Sequence, residues 1–286
     1  FVSELKKIQK PINKKIIIDK NLSKFGKEKG KKLLSISNFD KDHSKFILKY
    51  FNGSHIFVEK PMCRNFKQLN KIYKLAKKNK FNNLLSSNLV LRSSRILNKI
   101  KKKIRNGEFG NIYYFEGDYL YGRLNKLTKG WRGLDKNYSV TLGGGIHLID
   151  LMINLLGQLP EHVKTYSNKI VTKKNKFKFK DFTQSNYFFK NGALGKITSN
   201  FGCVHKHQHV LKIYGTKKTF IYDDMGARIF NKRDPFSGKK YNVGKLYNGK
   251  DCLLPGFFKK IKSNKNYKKN IIKEINLIST TISSDI

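Results

Sequence analysis

The sequence predicts an α/β chain in which a parallel-sheet domain wound with helices precedes an α+β domain built on a large, mostly antiparallel sheet. Three observations predict it. Up to about residue 88 short apolar runs alternate with helix-like stretches, the rhythm of βαβ units. A linking segment follows in which Ile96, Leu97, Ile100 and Ile104 recur at helical spacing, opposite Lys101, Lys102, Lys103 and Arg105. Beyond it the apolar runs lengthen and grow rich in β-branched and aromatic residues, as antiparallel strands do.

In chain order, residues 1–13 read as helix or loop entering the apolar segment Lys15-Ile16-Ile17-Ile18-Asp19. Strands are expected at 33–37, 56–58 and 84–87, with helices over 46–51 and 65–78 between them. After the linking helix, strands are expected at 112–121, 183–189, 195–203, 210–214 and 219–222. Residues 146–156 are apolar nearly all round, which describes a short buried helix, and Gly143, Gly144 and Gly145 are expected to form the turn that enters it. The boundary between the two domains therefore falls near residue 90, dividing the chain into 1–90 and 91–286.

Composition sets the outer bounds. At 286 residues the chain can bury a substantial core, and no apolar run reaches the length a membrane helix needs. No signal-peptide pattern is seen either, so the cytoplasm is the default compartment, and the three cysteines, odd in number and widely separated, argue against a disulfide framework or a zinc site. The formal charge of +42 is of the kind that marks nucleic-acid binders. The lysines, however, occur in every segment instead of forming one stripe with interleaved aromatics, so solvated faces account for them better than a nucleic-acid partner does.

Two signals carry chemistry. Lys60 follows the apolar run His55-Ile56-Phe57-Val58 and Glu59 and precedes Pro61, where a buried strand opens into the crevice beyond its carboxyl end. It is either a site lysine or a solvated turn lysine. His147, in the apolar segment after the three glycines, is either a base working near neutral pH or a core histidine bonded to a carbonyl. A rival signal lies at His205, His207 and His209, which on a strand would share one face at a spacing able to bind a metal. No neighbouring carboxylate completes a ligand set, so structural or interface histidines are the simpler reading and no metal is expected.

The series from His55 to Pro61, then Gly143 to Asp150, then Lys212-Ile213-Tyr214-Gly215-Thr216-Lys217-Lys218-Thr219-Phe220 resembles the glucose–fructose oxidoreductase and inositol dehydrogenase (Gfo/Idh/MocA) family in order and spacing. Residues 106–112 and the string Leu254-Pro255-Gly256-Phe257 extend the likeness. It implies a Rossmann-type cofactor domain, here truncated, and a substrate and assembly domain. No glycine-rich turn of the G-x-G-x-x-G type is present, so the expectation is a partial chain lacking the first βαβ unit.

The resemblance implies hydride transfer between NAD or NADP and a secondary hydroxyl of a sugar, nucleotide sugar or cyclitol. Lys60 would stabilise the developing alkoxide and His147 would move its proton. Ser37, Asn38, His43, Glu59, Lys60 and Asn88 are the implied cofactor residues. Tyr121, Arg123, Trp131 and Arg132 offer planes and cations suited to a sugar ring or its phosphate, or else form an edge strand and packed loop; Asp150 takes a supporting role on the substrate side. The family usually places an aspartate where this chain has Gly143. The alternative is a catalytically silent relative serving binding or assembly, and a homo-oligomer joined through the second sheet is implied in either case.

Overall fold

The computed structural model describes residues 30–135, 137–234, 237–242, 246–247, 249, 252–263 and 267–285; the segments at 1–13 and 15–19 lie outside them. From Leu33 onward the chain forms one compact unit with two sheets. The first is parallel, in the order β1 (Leu33–Ile36), β2 (His55–Val58), β3 (Leu85–Ser87). β2 is central and all four of its residues are buried, which is why it reads as an unbroken apolar run. α1 (Asp40–Tyr50) joins β1 to β2, and α2 (Phe66–Lys78) joins β2 to β3.

Each helix begins where its local chemistry dictates. α1 starts at Asp40 rather than at residue 46, because Asp40 and Asp42 occupy its first turn and complement the positive end of the helix. An apolar pattern does not reveal that polar opening. α2 starts after Asn65, whose Oδ1 accepts the Gln68 N–H at 2.9 Å. α3 (Arg95–Arg105) starts after Ser94, whose Oγ accepts the Leu97 N–H at 3.4 Å, and it buries Ile96, Leu97 and Ile100 as its spacing predicts.

The second sheet has eight strands. They are β4 (Ile112–Leu120), β5 (His162–Asn168), β6 (Phe182–Phe188), β7 (Leu194–Asn200), β8 (Gln208–Gly215), β9 (Thr219–Asp223), β10 (Gly226–Phe230) and β11 (Lys239–Lys240). Their order is β11-β10-β9-β8-β4-β7-β6-β5, and every pair is antiparallel except β4 with β7. Along β4 the alternation buries Phe115, Gly117 and Tyr119 on one face. α4 (Leu124–Thr128) and α5 (Trp131–Leu134) follow as short turns, and α6 (Ile146–Leu156) then lies on that buried face. Glycines set how closely it lies: a Cβ on Gly195 would stand 2.3 Å from Met152 Sδ.

Residues 143–145 are not the expected turn. Thr141–Gly145 forms a π-helical turn that runs directly into α6, and the Gly143 N–H donates to the Ser139 carbonyl at 2.9 Å. Space is the reason for the glycines: a Cβ on Gly144 would lie 2.5 Å from the Tyr119 ring, and one on Gly145 2.3 Å from Ser199 Oγ. His147 consequently sits inside a continuous helical run and not at a free amino end.

α7 (Leu254–Ser263) and α8 (Lys268–Ser283) complete the described chain. α8 packs back against β3, α2 and α6, so late residues cover the first sheet. A charged group fastens it there. Arg92 Nε and Nη2 donate to the two Asp150 oxygens at 2.9 and 2.8 Å, and its Nη1 donates to Glu274, which also accepts the Ser87 N–H at 3.3 Å. Among the described residues no helix is long and apolar enough to cross a membrane.

Candidate active site

Strand ladders place the lysine corner. The Glu59 N–H donates to Ile36 O at 2.8 Å and the Asn88 N–H to Val58 O at 2.7 Å, so the three strands stay in register to their carboxyl ends. Asn88 Nδ2 then donates to Glu59 Oε1 at 2.8 Å, holding the carboxylate on the ladder. Lys60, one residue further, leaves the sheet through a cis Lys60–Pro61 peptide, and its Nζ donates to the carbonyl of Gly143. The lysine is thus half-buried and joined to the π turn, not a fully solvated one.

A cavity of about 900 Å³ opens at this corner. Asn38, Glu59, Lys60 and Asn88 line the side at the strand ends, and Tyr119, Tyr121, His207 and His209 line the side formed by the second sheet. Pairing across strands explains the second group: Tyr119 is directly opposite His209 in the β4–β8 register, and Tyr121 and His207 lie just past the paired ends of the same two strands. Their rings meet edge to face, with centroids 5.1 Å apart for Tyr119–His209 and for Tyr121–His207.

His147 lies against this wall, its ring stacked on Tyr119 at 6.4 Å and edge-on to His209 at 6.1 Å. It is buried, and its Nδ1 has no hydrogen-bond partner among the described residues. Burial first, and then the positive charge of Lys60, holds its pKa well below 6.5, so the imidazole is neutral at pH 7. A free helix amino end is not involved, because the π turn runs directly into α6. His209 is driven down to about 3 by burial and by the neighbouring His207 and Lys60.

The structure divides the remaining sequence-predicted residues. Tyr121, Arg123, Trp131 and Arg132 all line the cavity, as do Asn38, Glu59 and Asn88. Ser37 is exposed and lies off the cavity lining. His43 borders the cavity, but its ring nitrogens face the Pro61 carbonyl at 2.7 Å and the Asn38 carbonyl at 3.1 Å, so it braces the corner. Asp150 is outside the lining, with both oxygens held by Arg92.

Sequence reasoning missed Tyr138, and it read Tyr119 only as part of the stretch 118–123 without singling it out. The hydroxyl of Tyr138 occupies the place a side chain at 143 would take, since a Cβ on Gly143 would lie 2.2 Å from it. Arg132 Nε donates to that hydroxyl at 3.1 Å. The two-residue spacing of Tyr119 with Tyr121, and of His207 with His209, was the available signal: both pairs alternate with outward residues on neighbouring strands. His205 departs from its expected shared face and pairs with Asp224 at 3.1 Å on the surface. Among the described residues no group of three His, Cys, Asp or Glu side chains is disposed to hold a metal ion.

The residues at the strand ends fit the nicotinamide end of a dinucleotide. A cavity beyond the carboxyl ends of parallel strands, with amide and carboxylate side chains at its edge and a cation beside a neutral imidazole, has the donors, acceptors and room that such a group needs. No glycine-rich strand-to-helix turn that would cradle a pyrophosphate occurs among the described residues.

Residues 97–221 match the family described as the GFO/IDH/MocA C-terminal domain. Solved structures share the fold at low identity. The myo-inositol 2-dehydrogenase of Lactobacillus plantarum is 15% identical, with 92% of this chain and 80% of that one covered and a TM-score of 0.73. A levoglucosan dehydrogenase solved with NADH and levoglucosan is 17% identical over 88% of this chain and 76% of its own, at 0.72. The UDP-N-acetylglucosamine 3-dehydrogenase of Acidithiobacillus ferrooxidans is 16% identical over 88% and 77%, at 0.68. No curated protein sequence matches significantly.

Proposed function

We propose that this chain, which belongs to the Gfo/Idh/MocA family through its C-terminal domain, is an oxidoreductase of sugar-like alcohols that uses Lys60 and His147 with NAD or NADP. One observation carries the reading. Two residues far apart in sequence meet at one cavity, the lysine fixed on the Gly143 carbonyl and the histidine held neutral partly by that lysine's charge.

When bound, NAD or NADP supplies the acceptor for the hydride that leaves the substrate carbon. Asn38, Glu59 and Asn88 face the cofactor side of the cavity, and the first sheet is the half of the chain that serves it. Lys60 presents its ammonium to the reacting hydroxyl and stabilises charge as the oxygen loses its proton. His147, neutral, accepts that proton. The aromatic wall of Tyr119 and Tyr121 excludes water and offers planes to a sugar or cyclitol ring. Asp150 positions the site from behind, through Arg92 and the helix that carries His147.

The relatives named above act on a cyclitol, an anhydrosugar and a nucleotide sugar, which supports this substrate range. A cytoplasmic location fits the odd number and wide separation of the three cysteines. Assembly through the outer face of the eight-stranded sheet fits the half-buried ladder on which Glu116 accepts from Lys196 at 2.9 Å. Nucleic acid has no part in this reading. One observation favours the alternative of a silent binding module: residue 143 has no side chain and room for none.

Stopped-flow and steady-state assays of NAD and NADP reduction against a panel of hexoses, inositols and sugar acids separate the two. Lys60→Met and His147→Asn each lower turnover by about 100- to 10,000-fold with the fold retained. Turnover unchanged in both variants removes the assignment, and cofactor binding without turnover on any sugar supports the silent module.

A further inference from the structure

The charges around the cavity do not cancel. Its acids are already engaged: Asp40 by Arg64, Asp223 by Arg228 at 2.6 Å, Asp224 by Lys206 at 2.6 Å, and Glu59 by the Asn88 amide at 2.8 Å. Lys60 is on the Gly143 carbonyl. Three further cations line the same cavity, Arg123, Lys126 and Arg132, and among the described residues none of them has a carboxylate within ion-pair distance. Lysine on the outer faces of so basic a chain is ordinary; three unneutralised cations lining one cavity, the half-buried Arg132 with Arg123 and Lys126 on the exposed rim, are not.

Arg132 is set up for one kind of ligand. Its guanidinium carbon lies 4.5 Å from the Trp131 ring centroid and 5.7 Å from that of Tyr138, and its Nε is committed to the Tyr138 hydroxyl. Stacking and that hydrogen bond fix the plane, while neither Nη has a protein partner among the described residues. A fixed fork of two N–H donors matches a carboxylate or phosphate, and ordering it in advance spares entropy on binding. Arg123 stands over Tyr121 at 5.9 Å on the adjacent wall. A third sign of convergence is His207, lowered below its ordinary pKa first by burial and then by Arg123, Lys60 and Lys126.

Resting on the oxidoreductase reading, we propose that the substrate is a sugar bearing an oxyanion, a carboxylate or a phosphate, that Arg132 grips bidentately with Arg123 and Lys126 beside it. The chemistry is shared by sugar acids and sugar phosphates. In either case the reacting hydroxyl extends toward Lys60 and His147 while the charged group anchors the far end.

Calorimetric titration of the whole chain with D-glucuronate, D-glucose 6-phosphate, D-glucose and myo-inositol tests it without needing turnover. At least one charged sugar binds about tenfold or more tighter than D-glucose, and which of the two identifies the source of the oxyanion. Arg132→Gln abolishes that preference. Arg123→Gln, an exposed position where folding is not at stake, reduces it by roughly 3- to 10-fold. Equal affinity for charged and neutral sugars, no binding of either charged sugar, or a preference that survives both variants overturns the proposal. A charged sugar bound by Arg132 but never oxidised in the presence of NAD or NADP sinks the oxidoreductase reading instead and leaves the oxyanion site standing.

Discussion

Replacing Gly143 by alanine asks whether residue 143 and Tyr138 compete for one space. The new Cβ would lie 2.2 Å from Tyr138 Oη and 2.7 Å from its Cζ, where ordinary contact begins at 3.4 Å. The tyrosine must therefore retreat by about 1.2 Å. It has nowhere easy to go: only 3% of it is exposed, and its ring sits edge-on to Trp131 at 5.8 Å and to Phe177 at 6.3 Å. Overpacking of this kind costs about 1–3 kcal/mol, which for a chain of this size lowers the melting temperature by roughly 2–12 °C. The control is the same substitution in a Tyr138→Ala background. That variant alone loses about 3–5 kcal/mol by emptying a buried site. Once the ring is gone, Gly143→Ala becomes neutral or gains about 0.5–1 kcal/mol, as alanine does in a helix interior. Thermal and urea unfolding of the four proteins give the coupling. Equal costs in the two backgrounds would refute the shared-space argument, as would a native-background variant that is more stable than the parent.

Arg92→Met leaves Asp150 and Glu274, whose side chains are 5% and 4% exposed, without their counter-ion, and urea unfolding is expected to register a loss of about 3–5 kcal/mol; a loss below about 1 kcal/mol would mean the group is not structural. Acid should weaken the fold through the histidines. Above pH 6.5 His147 and His209 are neutral folded or unfolded; below it the unfolded chain binds protons that the folded one refuses, so stability declines as pH falls from 6.5 towards about 3 for His209. Melting curves from pH 7.5 to 4 follow this, and His209→Gln should flatten the slope. For the same reason the acid limb of turnover should fall below pH 6.5, and a limb centred at or above 6.5 would exclude His147 as the base.

Much of this architecture is legible because its signals are local. The run from His55 to Val58 is apolar at every position since β2 is covered on both faces, and Lys60 is conspicuous as the first charge past Glu59 at its end. β5 is different: His162, Val163, Lys164 and Thr165 alternate exposed and half-buried at a sheet edge, which leaves no apolar run to find. β10 opens on Gly226, a residue that reads as a turn. The π turn escapes notice because three glycines suit a loop as well as a helix. Only the three-dimensional neighbours Tyr138, Tyr119 and Ser199 reveal that each glycine is there for lack of room. Arg92 with Glu274, and Arg64 with Asp40 and Asp135, join parts of the chain that no local pattern connects.

Glu274 meets the Ser87 amide across 187 positions of sequence. During synthesis the parallel sheet therefore emerges long before the helix that covers it, and β3 must wait, half-dressed, while the whole second sheet is made. A ribosome-bound chain halted before residue 268 would display that uncovered apolar side and Arg92 without one of its two acidic partners. High contact order of this kind slows folding and lengthens exposure to aggregation. The late helix acts as a latch on the nascent protein: closure of the first sheet waits for residues 268–283, which follow the last strand of the second sheet.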